Sequence, residues 1–476
     1  MPARLLCLFV PFYFAYWGLR GRWRLFLLLA ANYAFCLWWD HRLVWVLCAS
    51  TGLNYLCGRG VARARKAAAR RAWLAASLIG SLGLLAWFKY HGFLAESFAA
   101  AAGTLGWQVT PVIRKVVLPL GISYYTFQML SHTLDIHRGV MKPARSLLVF
   151  AVFSSFFAHI VAGPITRARQ LVPQLEAGAT FDLEHLETGL RRILFGLFKK
   201  LFVADTLARY VVDPVFAAPA AYSSAALALA MAGYAVQVYA DFSGYSSIAI
   251  GVARLLGLRL PENFRFPCLA LNIAEFWRRW HMTLTGWLRD YVWWPLARDV
   301  PFAGGFVVQS RAMSALFAVF ALCGLWHGAA WTFVAWGALH GVYMMIYALR
   351  RRWRGSHSRP PLFPGRAGVV AAWLTTQVAV TFGWVLFRSE GFGSCAAFLR
   401  GLAFGTGSRL LVPPPLVWVA LLALPVDHLA GFLLEHRPRI RQNVPAILQA
   451  AACTAMIVFL FHARPEQSSP FIYLRF

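Results

Sequence analysis

Residues 313–354 read MSALFAVFALCGLWHGAAWTFVAWGALHGVYMMIYALRRRWR. No Asp, Glu, Lys or Arg interrupts the run before Arg350. A helix crosses the hydrocarbon core of a bilayer with about 20 mostly apolar residues. The stretch therefore divides into two segments, 313–331 and 332–349, that predict a membrane hairpin. Arg350, Arg351, Arg352 and Arg354 close it, as basic residues do on the cytoplasmic side of a membrane.

Similar runs recur on both sides of the hairpin. They lie at 5–19, 25–39, 41–57, 73–90, 146–162, 222–240, 368–387, 413–434 and 445–462, with weaker ones at 92–108, 116–134, 190–204 and 244–257. Of the 476 residues, 59% are hydrophobic and 13% charged, against about 45–50% and roughly 25% in a soluble domain. These numbers exclude a soluble multidomain enzyme, and the aromatic content excludes disorder. The expectation is an all-α, polytopic membrane protein with about 10–13 spans. Interfacial and re-entrant helices would account for the shorter runs. No Gly/Ser linker divides the chain, so 1–476 reads as a single membrane domain. Arg20, Arg22 and Arg24 follow the first run without a small-residue cleavage site, which predicts a retained span.

The net charge is +28. In this context Lys and Arg set orientation and meet anionic lipid, and no nucleic-acid-binding motif is present. Basic loops at Arg59–Arg71, Arg350–Arg366 and Arg437–Arg441 are expected in the cytoplasm. None of the eight cysteines forms a C-x-x-C pair, and most sit in apolar runs. They read as small hydrophobes, with neither a disulfide framework nor a metal site.

One stretch has a different character. Residues 259–299, RLPENFRFPCLALNIAEFWRRWHMTLTGWLRDYVWWPLARD, interleave tryptophan with arginine. Such a segment lies at an interface or lines a cavity. Within it His281 is a candidate polar group of a reaction centre. Trp277 shares its face if the segment is one helix. Arg278 and Arg279 are candidate donor contacts, able to hold phosphates or lipid headgroups, with Trp277 and Trp280 beside them.

His327 stands out most. An ionisable group inside an apolar run is a functional hypothesis by default. A neutral imidazole in a dry cavity suits a general base; a hydrogen-bonded histidine joining helices is the competing role. Gly324 and Gly328 would let a backbone or a substrate come close. His340 falls about 220° around from His327 on a continuous helix and reads as structural. His41, His91, His357, His428 and His436 lie at span ends or loops. Asp241, in YADFSGYSS, calls for a cationic or hydroxyl partner, as do Asp135, Glu275 and Asp290; Arg278, Arg279 and Arg289 are available. No Walker A loop, G-x-S-x-G or dinucleotide fingerprint is present.

Five blocks taken together carry a resemblance. PLGISYYTFQMLSHTLDIHRG (119–139), AGPITRARQLVPQL (162–175), ADFSGYSSIAIGVARLLGLRLPENF (240–264), EFWRRWHMTLTGWLRDYVWWPL (275–296) and GLWHGAAWTFVAWGALHG (324–341) resemble the membrane-bound O-acyltransferase family. They are most similar to its bacterial alginate O-acetylation branch, as is the ending FIYLRF (471–476). The dense match covers about 119–341; the first 110 residues and 350–470 agree only in general hydropathy.

The resemblance implies that family's fold and acyl transfer from a thioester to a hydroxyl. His327 takes the position of the family's essential histidine and His281 the second position. The resemblance further implies acetyl-CoA or another acyl thioester as donor substrate, with no resident cofactor. It implies a multi-pass protein of the bacterial inner membrane that passes acetyl outward. Periplasmic SGNH-hydrolase-like acetyltransferases, within a polysaccharide synthesis or export complex, would complete O-acetylation of a polymer such as alginate. Competing acceptors are peptidoglycan, a cellulose-like glucan, or teichoic acid receiving D-alanine. A transporter or a scaffold is the non-enzymatic competitor.

Overall fold

The computed structural model describes residues 2–41, 44–111, 117–297, 306–357, 365–405, 407–437 and 445–462. Arg298, Arg359, Arg439, Arg441 and the ending 471–476 lie outside them. Among the described residues the chain is helical and no strand forms; a single parallel bridge pairs Tyr222 with Arg409. The all-α membrane architecture expected from hydropathy is the one found.

Five helical stretches are long and apolar enough to cross a bilayer: Ala67–Thr104, Ser224–Leu255, Trp331–Trp353, Gly365–Arg388 and Pro415–His436. Shorter apolar helices occupy Arg311–His327, Phe392–Phe404 and Ile447–Phe461. Large apolar side chains cover the outside, with Trp45 76%, Ile79 74% and Leu422 62% exposed. A water-soluble monomer rarely tolerates so much exposed apolar surface, and hydrocarbon accommodates it.

Element boundaries differ from the hydropathy segments in instructive ways. The runs 222–240 and 244–257 form one 32-residue helix, Ser224–Leu255, because Asp241 between them is neutralised inside the protein. Runs 73–90 and 92–108 join through a π-helical turn at Ala86–Tyr90. The run 146–162 is helical only over Leu147–Ser155. Its continuation, Phe156–Thr166, is irregular yet largely buried, as backbone at membrane depth can be when protein surrounds it. Asn32 Oδ1 accepts the Phe157 N–H at 3.0 Å there.

Contacts divide the chain into two compact units, Met1–Ile193 with Ala249–Pro261 and Leu194–Ile248 with Glu262–Phe476. The first packs Tyr125, Met129, Phe150, Phe153 and Phe156 into its core. Helices in lipid gain nothing from apolar burial against one another, so small and polar residues join them. Asn54 is the hub: it donates to Ser81 Oγ at 2.9 Å and accepts from Ser77 Oγ at 2.7 Å. Ser77 lies 3.2 Å from Thr133 Oγ1. Asn54→Leu leaves the serines to re-pair without it, and a stability loss of about 1–2 kcal/mol is expected. Thermal unfolding in detergent, compared with the wild type, measures it.

The second unit contains the apolar hairpin of residues 313–349. Phe306–His327 and Trp331–His357 cross where Gly324 meets Gly337. A Cβ on Gly324 would lie 2.1 Å from the Phe333 carbonyl oxygen, and one on Gly337 2.2 Å from that of Phe320. Only glycine permits this approach, and it places His327 at the break between the two helices. Gly328 faces the Phe333 ring. The glycines around His327 thus admit backbone and an aromatic ring of this chain.

Candidate active site

The segment Pro267–Ala297 is a series of short helices, none long enough to cross a membrane. Asn272 caps the first helix, Ile273–Arg279, by accepting the Glu275 N–H at 2.9 Å. That helix stops at Trp280 because the loop before it captures its end. Arg265 N–H donates to the Arg279 carbonyl, and Met282 N–H to the Asn263 carbonyl, both at 2.9 Å. Between these two bonds His281 is held left-handed, at φ 41° and ψ 50°. A side-chain-bearing residue in such a conformation costs on the order of 1–3 kcal/mol and concentrates at functional sites. The expected continuous face through Trp277 and His281 does not form. Trp277 turns instead to His340, donating its indole N–H to Nδ1 at 3.3 Å.

The break aims His281 at the other broken helix. Its ring centre is 6.2 Å from that of His327. His281 is wholly buried and His327 is 3% exposed. Around His327 stand Trp326 at 5.1 Å, Trp336 at 5.2 Å and Phe387 at 5.3 Å, each close to perpendicular. Phe242 stands edge-on to His281 at 4.5 Å. Two imidazoles from separate helix breaks thus share one aromatic enclosure. Burial pushes the His281 imidazole down to about 3, so it is neutral at physiological pH.

Trp280 is buried against Phe276, Phe264 and Trp384. Trp277 and Trp336 pack on His340, which joins helices rather than facing His327. Arg278 is exposed. Arg279 is engaged by Glu275 at 2.7 Å. Asp241 pairs with Lys200 at 2.9 Å, and Lys200 also reaches Asp205 at 2.9 Å. Lys200 is thus a cationic partner of the kind that Asp241 called for from sequence. Glu275 and Asp290 do pair with Arg279 and Arg289, and Asp135 with Arg169 at 3.8 Å.

Sequence reading passed over Lys199 and Lys200. Lys199 lies 3.0 Å from Asp427 and 3.3 Å from Tyr239 Oη, which itself donates to Asp427 at 2.8 Å. The signal was two lysines inside the run 190–204, where a charge in apolar surroundings demands a partner. Both sit on a π-helical turn, Phe198–Ala204. Gly196 and Gly244 let that turn press onto the helix of Tyr239, Asp241 and Phe242. Asn263 was also missed; in PENF it reads only as a turn residue.

Two buried imidazoles in an aromatic enclosure, of which His281 is neutral, can take a proton from a hydroxyl and return it to a leaving group. Residues 72–382 match the model described as MBOAT, membrane-bound O-acyltransferase family. The chain belongs to the membrane-bound O-acyltransferase family. It is 38% identical over 405 residues to the probable alginate O-acetylase AlgI of Pseudomonas syringae pv. tomato, covering 84% of this chain and 74% of the relative. It is 37% identical over 389 residues to the protein of the same name from Azotobacter vinelandii, covering 81% and 74%. It is 31% identical over 414 residues to the peptidoglycan O-acetyltransferase of Helicobacter pylori, covering 81% and 75%. As a member of this family the protein is an enzyme, a multi-pass membrane acyltransferase whose reaction needs an acyl donor.

Proposed function

We propose that the chain works as one membrane domain of the bacterial inner membrane and transfers acetyl from a cytoplasmic thioester, acetyl-CoA, to the outer side. There a periplasmic SGNH-hydrolase-like acetyltransferase completes O-acetylation of an exported polysaccharide of the alginate kind. The observation that carries the reading is the convergence of His281 and His327 in one enclosure, in a chain 38% identical to an alginate O-acetylase. His327 is the general base, or orients the accepting hydroxyl, and His281 assists. Trp326, Trp336 and Phe387 keep water from competing as acceptor. The exposed Arg278 is available to phosphates of the donor; Arg279, Trp277, Trp280 and Asp241 hold the surrounding walls.

Identity to a peptidoglycan O-acetyltransferase gives the test its second arm. Base-releasable acetate is measured in secreted polysaccharide and in peptidoglycan, in a deletion strain and in the complemented strain. Loss from the secreted polymer alone is expected. Loss from peptidoglycan alone would reassign the acceptor, and loss from neither would end the O-acetylation reading.

A further inference from the structure

We infer that Asn263 is a positioning residue for the acyl-transfer reaction, fixing His281 in the tautomer whose lone pair is on Nε2 so that His281 is a proton acceptor beside His327. The inference rests on the proposed part of His281 in the reaction.

A backbone N–H can only donate. Thr283 N–H donates to Asn263 Oδ1 at 3.4 Å, and the Thr283 hydroxyl donates to the same oxygen at 2.8 Å. On the other side Asn263 Nδ2 donates to Ser246 Oγ at 3.1 Å. A flipped amide would turn its NH₂ against the Thr283 N–H, so the orientation is decided by the network. His281 Nδ1 lies 3.0 Å from that same Oδ1. An amide oxygen only accepts, so Nδ1 carries the hydrogen. The other neutral tautomer would set a ring lone pair against the oxygen's lone pairs.

The second ring nitrogen is consequently the basic one. Nε2 is fully buried and has no hydrogen-bond partner among the described residues. A buried acceptor left without a donor is costly, and the left-handed backbone at His281 adds to that cost. Both suit a site that a substrate hydroxyl completes. The rings that meet His281 are Phe242, Trp326 and His327, and His327 alone of the three titrates. On the neighbouring helix Asp241 is engaged by Lys200 and Tyr239 by Asp427.

The proton balance is simple. The acceptor hydroxyl oxygen forms a bond to the acyl carbon, the carbon–sulfur bond breaks, and the hydroxyl proton rests on imidazole before reaching the thiolate sulfur. While His281 holds it, the Nδ1–H bond to Asn263 stabilises the imidazolium, as a positioned acceptor does behind any catalytic histidine.

The test uses the full chain reconstituted in vesicles, with acetyl-CoA as probe donor. Nitrogen-15 spectra of histidine-labelled wild type, with His281 assigned by subtraction of His281→Gln, should show Nδ1 protonated and Nε2 bare. A protonated Nε2 would overturn the inference without any Asn263 variant. Asn263→Ala should lower kcat by roughly 10²-fold or more at unchanged KM and mix the two tautomers. Asn263→Asp, which still accepts from Nδ1, should stay within about tenfold and move the acid limb of the kcat profile to higher pH. Full activity of Asn263→Ala, or equal losses in both variants with the wild-type nitrogen pattern, would refute it. Full activity of His281→Gln would instead refute the part given to His281, a separate failure.

Discussion

His327→Ala is expected to lower acetyl transfer by roughly 10²–10⁴-fold, the range that a positioned general base contributes, while the protein still inserts and folds. The residue ends the helix Phe306–His327 and lies among Trp326, Trp336 and Phe387. Alanine leaves a void there, so His327→Gln is the companion variant, filling space without a base. Both should lose turnover together while thermal unfolding in detergent stays near the wild type. Retained turnover in the glutamine variant would reduce His327 to a helix-joining residue.

Gly324→Ala should have the second largest effect, and through a different cause. The added methyl meets the Phe333 carbonyl oxygen at 2.1 Å and the Gly337 Cα at 3.1 Å. Both are backbone, so no rotamer change relieves the contact and the two helices must separate. Overpacking of this kind costs typically about 1–3 kcal/mol. His327 lies three residues on, so its distance to His281 changes as well. The expected result is a lower unfolding temperature together with a fall in kcat larger than the stability loss explains. Gly337→Ala meets the same crossing from the other side and should behave alike. Wild-type stability and turnover in both variants would show that the crossing does not position the histidine.

The membrane fold was legible because lipid imposes it: long apolar runs and arginine clusters leave few alternatives. His327 stood out because an ionisable side chain inside an apolar run is costly in lipid. The break at Trp280–His281 was not legible. AEFWRRWHMTLTGW has no proline or glycine before Gly286 and reads as continuous helix. Its interruption depends on hydrogen bonds that the Asn263 carbonyl accepts and the Arg265 N–H donates, which local sequence does not encode. Asn263 was missed for the same reason, since its partners Ser246, His281 and Thr283 are assembled only by the fold. The pairing of Asp241 with Lys200 joins the helix Ser224–Leu255 to a π-helical turn, Phe198–Ala204, a geometry that 3.6-residue periodicity does not reveal. The glycines around His327 were legible as a close approach, but the sequence left open whether backbone or substrate made it.

The most direct measurement follows radiolabelled acetyl from acetyl-CoA, supplied on the face of the vesicle carrying the arginine-rich ends, to a soluble hydroxyl acceptor enclosed on the other. Wild type, His327→Gln and empty vesicles are compared at matched protein. Base-labile acetyl ester is expected on the enclosed acceptor with wild type, and background levels with His327→Gln and empty vesicles. Equal ester formation by wild type and His327→Gln would contradict that expectation.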